Sequence, residues 1–121
     1  MAEASISVDE SFRFVVTGFG AFNGVPENPT SIIVRELPAF LQRHASATST
    51  SKVASVLATK TETVLIETSA GAVQQEVALL QMKLETSRSA IVLHLGVHIL
   101  AKKFRLESFA YNVASFLVPF E

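Results

Sequence analysis

The residues best placed for chemistry lie in a glycine-rich loop, Gly18-Phe19-Gly20-Ala21-Phe22-Asn23-Gly24, between a predicted strand and a predicted helix. A dinucleotide-binding loop needs the spacing G-x-G-x-x-G, but here the third glycine comes one residue late and Pro26 and Pro29 intervene. No Lys-Ser or Lys-Thr pair follows, which excludes a Walker A loop. The loop instead offers two aromatic side chains, Phe19 and Phe22, which could form the walls of a pocket for a small, flat, apolar ligand or could simply fill the core.

Two histidines and one serine resemble parts of known catalytic or metal-binding motifs. His94 and His98 have the spacing that would align two metal ligands on a helix. Gly96 lies between them, no glutamate follows His94 and no third ligand is evident, so a histidine at a strand end and another in a loop are the better interpretation. We therefore expect no metal site. The serine-hydrolase pattern G-x-S-x-G is also absent, because Glu67 lies two residues before Ser69.

One carboxylate, Glu107, lies in the largely apolar stretch Phe104–Asn112. A buried carboxylate there could orient an imidazole, as the third member of a nucleophilic triad does. On its own, a solvated glutamate on a strand is the simpler interpretation. The 121 residues contain no cysteine, so disulfides, thiolate metal sites and a cysteine nucleophile are excluded within them.

The composition indicates one folded domain. Hydrophobic residues make up 49% of the 121 residues, charged residues 17%, and the mean hydropathy is +0.38, which excludes general disorder. A net charge of -1 disfavours nucleic acid and anionic membrane surfaces as partners. No apolar run approaches the roughly 20 residues that span a bilayer, and the acidic segment Met1–Glu10 lacks the features of a signal peptide. The sequence predicts a soluble protein that is not secreted.

The first half of the chain predicts a strand followed by a helix. The small and polar residues of Met1–Ser11 indicate a loose arm. The β-branched and aromatic run Phe12–Gly18 predicts a buried strand. Asn28 can cap a helix that begins with Pro29, and Pro38 predicts that this helix kinks or ends early. The apolar residues predicted to share one face of the helix are Ile33, Leu37, Phe40 and Leu41.

The second half predicts further strands and a second helix. Ala45–Ser51 is a low-complexity hinge or surface loop, and Lys52–Ala58 and Glu62–Thr68 are strand-like. Ser69 can cap the clearest helix, and Ala90–Gly96 predicts a parallel strand that helices cover on both faces. The apolar residues of that second helix recur at Val73, Val77, Leu80 and Leu84. This alternation predicts an α/β architecture with right-handed crossovers and functional loops at the carboxyl ends of the strands.

Several motifs together resemble the amino-terminal half of the pyroglutamyl-peptidase I family. They are Val15-Val16-Thr17-Gly18-Phe19-Gly20-Ala21-Phe22-Asn23-Gly24, Glu27-Asn28-Pro29-Thr30, His94-Leu95-Gly96, and Glu107 with Ala110 and Asn112. The resemblance covers residues 12–119, weakly so over 45–61. It implies an open α/β/α sandwich, phosphorylase/hydrolase-like, with a mostly parallel sheet, in which residues 12–121 form a single domain that is incomplete relative to the family. It also implies a cytosolic cysteine exopeptidase that removes pyroglutamate from peptide amino termini without a cofactor.

The resemblance assigns roles to four residues. Glu107 matches the triad acid, Phe19 and Phe22 match the aromatic walls around the pyroglutamyl ring, and Asn28 matches the asparagine of the Asn-Pro step near that pocket. Gly96-Val97 and Lys103-Phe104 look like a divergent, plant-like branch of the family. Other departures from the family pattern affect backbone and guanidinium contacts to the substrate. They are Ala21 in place of proline, Val97 and Ile99-Leu100-Ala101 in place of Gln and Gly-Gly-Arg, and Leu117 where an arginine precedes the matched Pro119.

The nucleophilic cysteine and the general-base histidine of the family lie beyond the position matched by Glu121. The resemblance therefore predicts that these residues alone do not hydrolyse pyroglutamyl peptides. It also predicts that the sheet is partly uncovered and that the chain can self-associate through it. Two alternatives remain open at this point. One is a non-catalytic binding or interaction module. The other is a nucleotide-binding α/β half, which depends only on the glycine loop and on the order of strand and helix.

Overall fold

A three-stranded parallel sheet organises the part of the chain that the computed structural model describes, residues 11–22, 24–47, 52–98 and 100–109. Three helices connect and flank the strands, giving a mixed α/β fold. In chain order the elements are β1 (Arg13–Phe19), α1 (Pro29–Ala47), α2 (Lys52–Lys60), β2 (Thr61–Ile66), α3 (Ala70–Leu84) and β3 (Ala90–His94). The strands lie in the order β2-β1-β3, so β1 is central and forms parallel pairs with both of the others.

Strand β1 is the centre of the core because both of its faces are covered. Val15 and Val16 are 0% and 1% exposed, and successive side chains of a strand point to opposite faces. The burial of both side chains therefore requires packing on both sides of the sheet. Helix α1 lies on the face of Val16 and Gly18, where a Cβ atom on Gly18 would lie 2.6 Å from the Thr30 carbonyl oxygen.

Helix α3 reaches the opposite face. Glu62 is in register with Val15 and shares its face, and its carboxylate accepts a hydrogen bond of 2.9 Å from Lys83 Nζ on α3. Helices on opposite faces are what right-handed crossovers produce when the chain moves from β1 outward to β2 and then back across β1 to β3. The described elements thus follow the predicted α/β arrangement.

Several sequence-based predictions are confirmed with small changes of boundary. The three strands β1, β2 and β3 lie where Phe12–Gly18, Glu62–Thr68 and Ala90–Gly96 predicted them. Ser69 caps α3 with extended backbone, and its side chain accepts a hydrogen bond from the Ala72 N–H. The predicted hinge Ala45–Ser51 falls partly in α1, which continues to Ala47, and residues 48–51 lie outside the described residues. Of the predicted arm only Ser11 is described.

The strand predicted over Lys52–Ala58 is wrong, because the structure has helix α2 there. Ala54, Leu57 and Ala58 recur at helical spacing, and Ala54 is buried at 4% exposure. The side chain of Gln42 on α1 also donates a hydrogen bond of 3.1 Å to the Ala58 carbonyl oxygen. Packing against α1 therefore outweighs the strand preference of the β-branched residues in this short segment.

Pro38 does not end helix α1, which continues nine residues beyond it to Ala47. The missing N–H removes one helical hydrogen bond, but Leu41 in the next turn is buried and holds the helix against the core. The predicted apolar face also needs correction, since Ile33 and Phe40 are 41% and 52% exposed whereas Val34 is 3% exposed. The close approach of α1 to Gly18 brings Val34 rather than Ile33 against the sheet.

Strand β3 is more exposed than its apolar sequence predicts. Ile91 and Leu93 are 54% and 37% exposed, so the prediction that helices cover both faces of this strand is wrong for the described residues. The strand order explains the difference, because β3 is at the edge of the described sheet while α1 lies over β1 and β2. The separate expectation of a partly uncovered sheet agrees with this exposure.

No helix in the described part of the chain is long and apolar enough to cross a membrane.

Glu62 links β1, β2 and α3 through ion pairs with Arg13 and Lys83. The hydrogen bond from Lys83 lowers the pKa of the Glu62 carboxyl below its ordinary value of 4.5, partial burial opposes this shift, and the positive charges of Lys83 and Arg13 reinforce it. Because the carboxyl pKa is lower in the folded state, its stabilisation is present above the unfolded pKa and is lost as the pH falls through the folded pKa.

Replacing Glu62 with glutamine is expected to lower the free energy of unfolding at pH 7 by less than about 1 kcal/mol, since both of its ion pairs are partly exposed and screened by solvent. The difference between variant and wild type should shrink as the pH falls below 4.5, the ordinary pKa of the unfolded carboxyl, and should disappear once the pH is below the lowered pKa of the folded carboxyl. Urea unfolding at a series of pH values measures this difference. A difference in the free energy of unfolding that stays constant across the acid range would show that the charge of Glu62 is not its cause.

Candidate functional site

A cavity of about 220 Å³ lies at the carboxyl ends of the three strands. Each strand contributes to it, because Phe19 ends β1, Thr68 follows β2 by two residues, and Gly96 follows β3 by two residues. The full lining consists of Phe19, Phe22, Asn28, Thr68, Gly96 and Val97. In open parallel sheets this edge is where ligands bind, and it is the edge at which functional loops are predicted from the sequence.

Phe19 is held at the cavity by hydrogen bonds of its own backbone and its neighbour's. Its N–H donates to Thr30 Oγ1 at 2.8 Å, which ties the end of β1 to the first turn of α1. The Gly20 N–H donates to the Ile66 carbonyl oxygen at 2.9 Å and so extends the pairing of β1 with β2 by one residue. The Phe19 ring is therefore attached to a fixed strand end.

Phe22 enters the same cavity from a tight turn. Its N–H donates to the Val25 carbonyl oxygen at 3.0 Å, and the Val25 N–H donates back to the Phe22 carbonyl oxygen at 2.8 Å. Gly24 closes this turn with φ +84°, a left-handed conformation that favours glycine. Glycine at this position therefore allows the tight turn that carries Phe22.

Asn28 is 2% exposed and connects the glycine loop to the start of α1. Its Oδ1 accepts hydrogen bonds from the Thr30 N–H at 2.9 Å and from Thr30 Oγ1 at 2.8 Å, and its Nδ2 donates to the Gly20 carbonyl oxygen at 3.1 Å. The predicted cap at Asn28 before Pro29 is confirmed by these bonds. Because three of its polar contacts are internal, Asn28 shapes the cavity as well as lining it.

The amino end of α1 has no free N–H groups to offer a phosphate in its first turn. Pro29 has none, the Thr30 N–H is bound to the Asn28 side chain, and the Ser31 N–H donates to the Asn28 carbonyl oxygen at 2.9 Å. A phosphate cradle at a helix amino terminus needs these groups unpaired. The geometry of the glycine loop therefore argues against the nucleotide-binding alternative.

The polar groups of the cavity wall are largely committed to other protein atoms. Thr68 Oγ1 donates to the Gly20 carbonyl oxygen at 3.0 Å, the same oxygen that accepts from Asn28. None of the described lining residues carries a charge. An uncharged, partly aromatic cavity of this kind suits a small neutral ligand rather than an ion.

Glu107 does not line this cavity in the described structure. It is exposed in a segment without helix or strand that continues from β3, and the matched Ala110 and Asn112 lie outside the described residues. The structure therefore brings Phe19, Phe22 and Asn28 together but leaves Glu107 apart from them. Its role as a triad acid stays a prediction.

His94 and His98 are not aligned as metal ligands on a helix, because His94 ends β3 and His98 lies in the irregular segment after it. Among the described residues, no group of three or more histidine, cysteine, aspartate or glutamate side chains could hold a metal ion. His94 has a different partner, since its Nδ1 lies 2.7 Å from Thr17 Oγ1 on β1.

The roles of three threonines were not predicted from the sequence. Thr17 contacts His94, Thr30 joins Phe19 to Asn28, and Thr68 binds the Gly20 carbonyl oxygen. A hydroxyl residue within two positions of a strand end, as Thr17 and Thr68 are, was the signal available for two of them.

Comparison of this chain with protein-family models, with curated proteins and with solved structures finds no match.

Proposed function

We propose that this chain is a pyroglutamyl-peptidase I-like α/β domain whose cavity at the strand ends binds the pyroglutamyl group of a peptide amino terminus. One observation carries the proposal. Phe19, Phe22 and Asn28, to which the resemblance assigns this role, line a single cavity although they come from a strand end, a turn and a helix cap.

The chemistry of the cavity fits this ligand. A pyroglutamyl ring is small, nearly flat and uncharged, so it can be placed against aromatic side chains without leaving a buried charge unpaired. The described lining is uncharged and includes two phenylalanines. Helices on both faces of the parallel sheet are compatible with an open α/β/α sandwich of the phosphorylase/hydrolase-like type, which is part of the same proposal.

The proposal is for binding without hydrolysis by these residues. Hydrolysis in this family needs a thiolate nucleophile and a histidine base, and the 121 residues contain no cysteine. Glu107 is exposed and lies outside the cavity lining. The cytosolic location of the family's members belongs to this proposal as well.

Titration of the chain with a pyroglutamyl dipeptide amide, followed by calorimetry or NMR, tests the proposal. Saturable binding is expected, with about tenfold weaker affinity in Phe19→Ala because one aromatic wall is lost. Phe40→Ala is the matched control, since Phe40 lies about 16 Å along α1 from its amino end. A peptide beginning with proline should not compete, because its ring nitrogen is charged and it lacks the lactam carbonyl. Binding that is equally weakened in both variants would contradict the proposed pocket.

A second candidate is an interaction module that pairs with another copy of itself through the uncovered sheet. The observation in its favour is the exposure of large apolar side chains on and after β3, namely Ile91, Leu93, Phe104, Leu106 and Phe109. The same samples distinguish the candidates. Absence of peptide binding together with a mass that rises with concentration in sedimentation would favour the module over the pocket.

A further inference from the structure

Thr17 and His94 form a polar pair across β1 and β3 that the proposed function does not use. Thr17 is 0% exposed, and its Oγ1 lies 2.7 Å from His94 Nδ1, while the His94 residue itself is exposed. The two residues are in register in the parallel pairing of the strands, so their side chains leave the same face of the sheet. A buried hydroxyl thus holds one nitrogen of the imidazole of an exposed residue.

Burial of Thr17 decides which nitrogen of His94 carries the proton in the neutral ring. A buried hydroxyl proton without an acceptor is costly, and among the described residues His94 Nδ1 is the partner of Thr17 Oγ1. If Nδ1 were protonated, it would donate to the hydroxyl and leave the hydroxyl proton without an acceptor. The arrangement therefore favours donation from Thr17 to Nδ1, which places the ring proton on Nε2.

His94 lies next to the cavity on the same face as Phe19. Phe19 is two residues beyond Thr17 on β1, and the cavity-lining Gly96 is two residues beyond His94 on β3. Two residues of a strand span about 6.6 Å, so the backbone of His94 lies about that far from the cavity-lining Gly96. An Nε2–H donor at this position can reach a ligand that extends out of the cavity.

We propose that His94, held by Thr17 as the Nε2–H tautomer, is the hydrogen-bond donor that recognises an acyl oxygen of the ligand beside the cavity. This inference depends on the proposed pyroglutamyl site and adds a specificity-determining residue to it. The hydroxyl of Thr68 and one N–H of Asn28 are already bound to the Gly20 carbonyl oxygen, so the side chains of the cavity lining offer few free donors. His94 supplies the donor that an amide or carboxyl ligand needs.

The first measurement is the tautomer of His94, read from the ¹⁵N shifts of the imidazole at mildly alkaline pH without ligand. Wild type and Thr17→Ser, which keeps the hydroxyl, should show the proton on Nε2. Thr17→Val has the same shape without the hydroxyl and should show a mixture of both tautomers. Protonation of Nδ1 in the wild type would overturn the inference whatever the ligand does.

The second measurement is the affinity for the pyroglutamyl dipeptide amide. His94→Leu is expected to weaken binding about fivefold to tenfold, as loss of one hydrogen bond does, and His94→Gln, which keeps an N–H donor, should recover part of it. Binding that Phe19→Ala weakens but His94→Leu leaves unchanged would overturn the inference while supporting the proposed function. Absence of wild-type binding would reject both the proposed function and the recognition role of His94.

Discussion

Replacing Gly18 with alanine is expected to lower the free energy of unfolding by about 3 kcal/mol, because the new methyl group has no space. A Cβ atom at this position would lie 2.6 Å from the Thr30 carbonyl oxygen and 2.6 Å from Val34 Cγ2. One contact is backbone and the other belongs to a nearly fully buried side chain, so neither can move aside easily. Relief would require α1 to move away from β1, which would open the core around Val34.

Gly20→Ala is the control for this substitution, since it makes the same chemical change two residues away. A Cβ atom on Gly20 would meet its nearest neighbour, the Ile66 carbonyl oxygen, at 3.9 Å, which is ordinary contact. The free energy of unfolding of the Gly20→Ala variant should stay within about 1 kcal/mol of the wild-type value. Urea unfolding followed by circular dichroism measures both variants. Equal stability of the two alanine variants would show that α1 does not approach β1 as closely as described.

The strands and caps could be predicted from local sequence because their signals are local. The β-branched run before Gly18 indicates a strand, and Asn28-Pro29 and Ser69 are favoured helix starts. Helix α2 could not be predicted in this way, because Lys52–Ala58 contains both β-branched residues and alanines. Its packing against α1, which involves residues far apart in sequence, decides between the two conformations.

In the candidate site too, features with local sequence signals could be predicted, whereas features that depend on long-range contacts could not. Phe19 and Phe22 could be placed near a pocket because loops at the carboxyl ends of parallel strands meet at one edge. The pairing of Thr17 with His94 could not be predicted, because the residues are 77 positions apart and their contact depends on the register of two strands. A shift of one residue in that register would send the two side chains to opposite faces.

Replacing Asn28 with alanine is expected to cost about 3 kcal/mol of stability, more than an ordinary helix cap. The substitution removes the acceptor of the Thr30 N–H and of the Thr30 hydroxyl, and it removes the Nδ2 donor to the Gly20 carbonyl oxygen. Because Asn28 and Thr30 are 2% and 4% exposed, water cannot readily replace these partners.

Ser69→Ala provides the matched control for Asn28, because Ser69 is the cap of α3 with a single side-chain bond, to the Ala72 N–H at 3.1 Å. Loss of this hydrogen bond should lower the free energy of unfolding by about 1 kcal/mol. Thermal or urea unfolding compares the two variants, and NMR shifts of Phe19 and Phe22 report whether the cavity changes. We expect those shifts to change in Asn28→Ala and not in Ser69→Ala, since only Asn28 joins the glycine loop to α1 at the cavity. Similar costs for the two substitutions, with unchanged phenylalanine shifts, would show that Asn28 is only a helix cap and that the cavity keeps its shape without it.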